Sequence, residues 1–202
     1  MIIKPVTFKC PNCNELYNYI SFISGNTIGA IYYSDGFILA PMYPNVQKLT
    51  KCGICDQFFW LKDENIYSDE NIFSKTSDAP QMTVFDYIEY LEVNPTLSPN
   101  DELYIRQQIR FLFNHTMSNE ITNKVLYISN QNLWLILDLY YRNYGFENNL
   151  FTIAEIYRNL KQFDKSIELF NKFRISASEN EKRIVDKLIK LAMQKNDEIT
   201  EI

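Results

Sequence analysis

The chain has 202 residues, 46% hydrophobic and 15% aromatic, enough for one or two small folded domains. Its formal charge of -5 opposes whole-chain attraction to nucleic acid or an anionic membrane. Only five glycines argue against Gly-rich phosphate loops, and no apolar run approaches the ~20 residues of a membrane span.

Met1-Ile2-Ile3-Lys4-Pro5 has neither the apolar core nor the small-residue cleavage site of a signal peptide. The expected setting is cytoplasmic, where thiols stay reduced. Residues 1–62 read as a small β-rich domain. Thr7–Cys10 and Gln57–Leu61 are predicted strands beside two short brackets, Cys10-Pro11-Asn12-Cys13 and Cys52-Gly53-Ile54-Cys55. These are the only cysteines in the chain. Between the brackets, Ile28–Tyr33 and Phe37–Ala40 flank Ser34-Asp35-Gly36, and Asp-Gly between apolar runs predicts a hairpin. Residues 1–62 carry five lysines against three acidic residues and no arginine, leaving +2; the remainder carries -7.

Two Cys-x-x-Cys brackets can aim four thiolates at one tetrahedral centre, the preference of Zn²⁺. Cys10, Cys13, Cys52 and Cys55 are therefore the expected metal ligands. The blander reading is four ordinary buried thiols. Because all four ligands come from protein, the metal is expected to be structural, with no position left open for water. It would staple a unit whose core is too small by itself. Iron is the alternative, since rubredoxin geometry also uses two such loops and tetrahedral sulfur does not separate the metals.

Residues 63–80 are acidic and polar and read as a linker, and residues 81–202 carry helical periodicity. Helices are predicted near 83–93, 99–114, 131–144, 150–160, 164–175 and 179–195, with a shorter one at 119–128. Ser98-Pro99 marks one start, Ser178-x-x-Glu181 has capping-box spacing, and Gly145 suits a stop. The whole is an α+β chain: a zinc-ribbon-like domain at 1–62, a linker at 63–80 and an α-helical hairpin domain at 81–202.

Ala154, Tyr157, Leu160, Phe163, Ser166 and Phe170 fall at the small, aromatic and apolar positions of a tetratricopeptide repeat, which this helical pair resembles. Small Ala154 and Ser166 would let two helices approach. Lys161, Phe173 and Ser178 depart from the repeat, standing where it often has Gly, Ala and Pro.

Other candidates read more plainly. The aromatics of 1–62, among them Phe8, Tyr17, Tyr19, Tyr43, Phe59 and Trp60, read first as packing against the helical part, then as a partner surface, and last as stacking platforms for single strands. Ser24-Gly25-Asn26-Thr27 with Gly29 reads as a turn in preference to an anion nest. His115, the only histidine, reads as a capping or packing residue. Glu155, Glu168 and Glu181 read as solvated charge on helix faces. No P-loop, dinucleotide fingerprint or zinc-protease motif is present, and no catalytic residue is assigned.

Cys10-Pro11-Asn12-Cys13, Ser24-Gly25-Asn26-Thr27, Ser34-Asp35-Gly36, Ala40-Pro41-Met42, Leu49–Cys55 and Phe59-Trp60-Leu61 together resemble a group of uncharacterised bacterial proteins. In that group a four-Cys ribbon precedes a tetratricopeptide-like region, and Ala154–Arg158 is similar to its repeat helix. The resemblance is dense over 10–61, fair over 150–173 and loose between. It implies architecture and a bacterial cytoplasmic setting, and no activity. The expected function is a non-enzymatic, zinc-binding adaptor that takes a protein or peptide partner, with membranes excluded and nucleic acid disfavoured. The alternatives are a rubredoxin-like iron redox protein and a nucleic-acid-binding zinc ribbon.

Overall fold

The computed structural model describes residues 2–42, 46–67, 76–116 and 123–202. It is a mixed α+β chain, a strand-rich N-terminal region followed by six α-helices among the described residues. No helix among them is long and apolar enough to cross a membrane. The chain divides into two compact units, Met1–Ile31 with Ile38–Tyr90, and Tyr32–Phe37 with Leu91–Ile202.

In the first unit, β1 (Ile2–Lys9) and β2 (Leu16–Ser24) form a long antiparallel hairpin, from Ile3 opposite Phe22 to Lys9 opposite Leu16. Two-residue strands extend it on both sides. Ile66–Tyr67 pairs antiparallel with β1, and Ser77–Asp78 pairs parallel with β2. A second hairpin joins β5 (Leu49–Lys51) to β6 (Phe58–Trp60). Between the two, β3 (Ile31–Tyr32) and β4 (Ile38–Leu39) make the expected hairpin around Ser34-Asp35-Gly36. The strand β2 goes beyond the reading of the sequence, which placed only a hairpin between the cysteine brackets. Of the polar run at 63–80, residues 68–75 lie outside the described residues.

The core of this unit is small. Val6, Phe8, Tyr17, Phe59 and Ala79 are buried together with Cys10 and Cys52. Phe8 meets Tyr19 edge-on at 5.4 Å between ring centroids. Helix α1 (Val84–Val93) begins here, and its first turns close over the second hairpin. Trp60 Nε1 donates to Tyr90 Oη at 3.0 Å, Phe58 meets Tyr90 edge-on at 5.3 Å, and Lys51 Nζ lies 2.8 Å from Glu89 Oε2. Phe58 and Trp60 thus pack on a helix, whereas Phe8, Tyr17 and Phe59 pack in the core of the strand-rich unit itself; Tyr43 lies outside the described residues.

The second unit is built from α2 (Pro99–His115), α3 (Asn123–Leu139), α4 (Leu150–Asn159), α5 (Phe163–Arg174) and α6 (Glu179–Met193). Ser98 Oγ caps α2 by accepting from the Asp101 N–H. The separate helices expected at 119–128 and 131–144 are corrected. From Asn123 they are one helix, which ends in a π-helical turn at Tyr140–Tyr144 and stops at Gly145, φ +75°. Residues 119–122 lie outside the described residues. The polar stretch Ser129–Asn132 resembles a break in sequence, yet Asn132 is a packing residue. It is buried, and its Nδ2 donates to the Arg106 carbonyl at 2.8 Å.

Helices α4 and α5 form a tight hairpin through residues 160–162. Ala154, Ser166 and Phe170 are fully buried at its seam. Lys161 holds the turn at φ +61°, a left-handed backbone that costs a side chain about 1 kcal/mol relative to glycine. Its ammonium makes only a loose, exposed contact with Asp197 at 3.7 Å. Lys161→Gly is therefore expected to stabilise this unit by about 1 kcal/mol, read as a raised denaturant midpoint with unchanged slope.

Ser178 and Glu181 close a full capping box at the start of α6. The Glu181 carboxyl accepts from the Ser178 hydroxyl and then from its N–H, which holds it below its ordinary value of 4.5. Its contribution is complete above that value and is lost as pH falls through the lower folded value. The difference in thermal midpoint between the protein and Glu181→Gln should be present at neutral pH and vanish in acid.

Glu155 corrects the expectation of solvated charge. It is fully buried against an equally buried Arg158, whose Nε and Nη2 reach its two oxygens at 2.8 and 2.6 Å. Glu168 and Glu181 are exposed and paired locally with Lys165 and Ser178. Arg158 also donates to the carbonyls of Asn196 at 2.7 Å and Glu198 at 2.8 Å, and Nη2 lies 3.4 Å from Ser34 Oγ. Nearby, Asp35 is buried with its Oδ2 accepting from Asn114 Nδ2 at 2.7 Å and 3.0 Å from His115 Nε2. Its carbonyl accepts from buried Arg110 at 3.2 Å. Burial pushes the Arg110 pKa down, opposed by the charges of Asp35 and Glu155. These bonds hold Tyr32–Phe37 against the helices of the second unit, to which that segment belongs. His115 stacks on Phe37 at 4.2 Å, a packing role with a carboxylate partner.

Candidate metal centre

Each cysteine bracket occupies the tip of a β-hairpin, Cys10–Glu15 between β1 and β2 and Cys52–Gln57 between β5 and β6. The two tips are local copies. The first cysteine donates its N–H to the residue five positions on, Cys10 to Glu15 at 2.7 Å and Cys52 to Gln57 at 2.9 Å. Its carbonyl accepts from the residue four positions on, Asn14 at 3.0 Å and Asp56 at 2.9 Å. Those residues take positive φ, +66° and +56°. Asn and Asp tolerate this conformation better than most side chains.

The tips bring all four Sγ atoms within 4.8 Å of one another. Cys10 Sγ lies 3.8 Å from Cys55 Sγ, and Cys13 Sγ 3.5 Å from Cys52 Sγ. Both exceed the ~2.05 Å of a disulfide. Four sulfurs at ~2.3 Å from a tetrahedral ion stand about 3.8 Å apart. The quartet therefore fits a metal ion, and the residues singled out by spacing are brought together. Cys10 and Cys52 are buried, Cys13 and Cys55 partly so. No protein-family model, curated protein or solved structure matches the chain.

The thiols are unequal among themselves. Burial opposes ionisation of Cys52, but donation from the Tyr17 hydroxyl and from the N–H groups of Cys55 and Ile54 outweighs it and lowers its pKa to about 6. Burial pushes Cys10 up. The Glu15 N–H lowers Cys13, yet burial and the neighbouring thiols carry it up to about 12. A cation held by these four sulfurs would favour their deprotonated forms.

Tyr17 is the residue the spacing did not reveal. Its Oη accepts the Gly53 N–H at 3.0 Å and lies 3.2 Å from Cys52 Sγ, so its own proton is directed at sulfur. Burial and the Cys52 contact both raise its pKa. It is an outer partner of the quartet, of the kind that orients a ligand and tunes its charge. Among the lysines of residues 1–62, Lys51 is engaged by Glu89 and sits 5.1 Å over the Phe58 ring. The Ser24–Gly29 loop is an Asx turn, with Asn26 Oδ1 accepting from the Ile28 N–H at 3.0 Å.

Proposed function

We propose that this chain is a non-enzymatic interaction adaptor whose first unit is a zinc ribbon, stapled by one Zn²⁺ on Cys10, Cys13, Cys52 and Cys55. The observation that carries this reading is the pair of matched hairpin tips with thiols at tetrahedral spacing. Zinc supplies no redox chemistry and no open position in a four-thiolate set; its contribution is folding energy. The tetratricopeptide-like pair α4–α5 and its neighbours would present the partner surface. Tyr127, Trp134 and Tyr141, seven residues apart along α3 and its π-helical end, are each more than two-fifths exposed, and aromatic residues are enriched where proteins meet.

Metal analysis by mass spectrometry, on protein purified without a metal-affinity tag, tests the reading. About one zinc per chain is the expected result. One iron, with sulfur-to-iron absorption, would replace it by the rubredoxin-like redox protein. No metal would overturn both. Steeply salt-dependent binding of single-stranded nucleic acid would favour the nucleic-acid ribbon.

A further inference from the structure

A cavity of about 400 Å³ lies within the second unit, bordered by α2, α3, the end of α4 and residues 197–199. This is within the size range of small-ligand pockets. Its lining includes apolar Phe113, Leu133 and Ile199, the amide residues Asn114 and Asn130, and the acidic residues Asp197 and Glu198. Among the described residues no Lys, Arg or His lines it, so this described lining carries two negative charges against none positive.

The acidic wall is built and held. Arg158 grips the carbonyls of Asn196 and Glu198, and Asn159 Nδ2 donates to the Asp197 carbonyl at 3.1 Å. Asn114 spends its NH₂ on Asp35 Oδ2, which leaves its carbonyl oxygen as an acceptor. Among the described residues the Asp197 carboxylate has only its loose contact with Lys161. Glu198 has no ion-pair partner among the described residues.

We propose that this cavity binds an alkylammonium cation, its hydrocarbon stem against Phe113, Leu133 and Ile199 and its charged head at Glu198, Asp197 and the Asn114 carbonyl. An anion would meet the two carboxylates, and a purely apolar ligand would leave the head-group acceptors unpaired. The cation belongs either to a free amine or to a lysine side chain of a partner. In the second case the cavity is the recognition pocket of the proposed adaptor. Nothing in it draws on the cysteine quartet, so its failure and a failed metal analysis are separate results.

Calorimetric titration of the full chain with pentylamine, 1-pentanol and acetyl-Gly-Lys-Gly-amide tests the proposal. Saturable binding of pentylamine, with 1-pentanol weaker by about fivefold or more, is expected for a partly exposed charge contact. Glu198→Gln should weaken the amine about fivefold and leave the alcohol unchanged. Half-exposed Leu126 borders the cavity, so Leu126→Trp should block both ligands while the thermal midpoint stays within a degree or two. Tighter binding of the peptide than of pentylamine assigns the cation to a partner's lysine; the reverse assigns it to a free amine. Equal affinity for pentylamine and 1-pentanol, an unaffected Glu198→Gln, or no saturable binding of either cation would overturn the proposal.

Discussion

Cys52→Ser should remove the metal and unfold the first unit while leaving most of the helical signal intact. Cys52 is fully buried, and its sulfur is shifted toward thiolate by the Tyr17 hydroxyl directed at it and by nearby N–H groups. Serine offers a hard oxygen that stays protonated, so three thiols would remain around an incomplete centre. The core beside the quartet comprises few residues, and two of its buried members, Cys10 and Cys52, belong to the quartet itself. Structural zinc contributes an apparent 10–16 kcal/mol in small domains, comparable to the entire stability of a typical domain at about 5–15 kcal/mol. Helices α2–α6 bury a separate core around Ile136, Ile153, Ile156 and Phe170, and their ellipticity should persist. On the proposed reading, metal per chain should fall from about one to near zero, and the thermal transition of the first unit should disappear. Tyr17→Phe separates ligand from outer partner: it should keep the metal but weaken it about 10–100-fold. Undiminished metal and unchanged unfolding in Cys52→Ser would contradict a structural role.

How much of this was legible depends on whether a feature is local. The cysteine brackets, the Asp-Gly hairpin and the caps at Ser98 and Ser178 are set by residues a few positions apart, and spacing reveals them. The strand β2 was missed because Leu16–Ser24 mixes polar and aromatic residues without clean alternation; its pairing with β1 follows from the bracket that joins them. Tyr17 carries no signal of its own, since its proximity to Cys52 arises only when the hairpin tips meet. Glu155 is the sharpest case. Its spacing to Arg158 is i,i+3, the same as the exposed pairs Lys165–Glu168 and Glu179–Lys182. Nothing local distinguishes them. The difference is set by residues 34 and 196–198, which arrive from either side in sequence and exclude water from the pair.

That buried pair yields the second large expected effect. Arg158→Met should destabilise the helical unit by about 3–5 kcal/mol, the usual cost of leaving one partner of a buried ion pair without the other. Methionine preserves much of the aliphatic volume, so the loss is electrostatic and hydrogen-bonding in origin. Glu155 would be stranded at zero exposure, its one remaining hydrogen bond among the described residues a long 3.5 Å donation from Asn159 Nδ2. The carbonyls of Asn196 and Glu198 would lose their donor as well. The double variant Glu155→Leu with Arg158→Met separates these contributions. If the stranded carboxylate dominates, the second change should recover most of the loss, because a buried pair replaced by apolar groups is often neutral. The Arg158 bonds to residues 196 and 198 predict incomplete recovery, with a residual of about 1–3 kcal/mol for carbonyls left without partners. Residues 196–202 should then exchange their amide hydrogens faster than in the parent chain. Full recovery with unchanged exchange there would mean that Arg158 serves only to neutralise Glu155; a residual loss with a loosened tail identifies it as the clamp that shapes the acidic wall of the cavity.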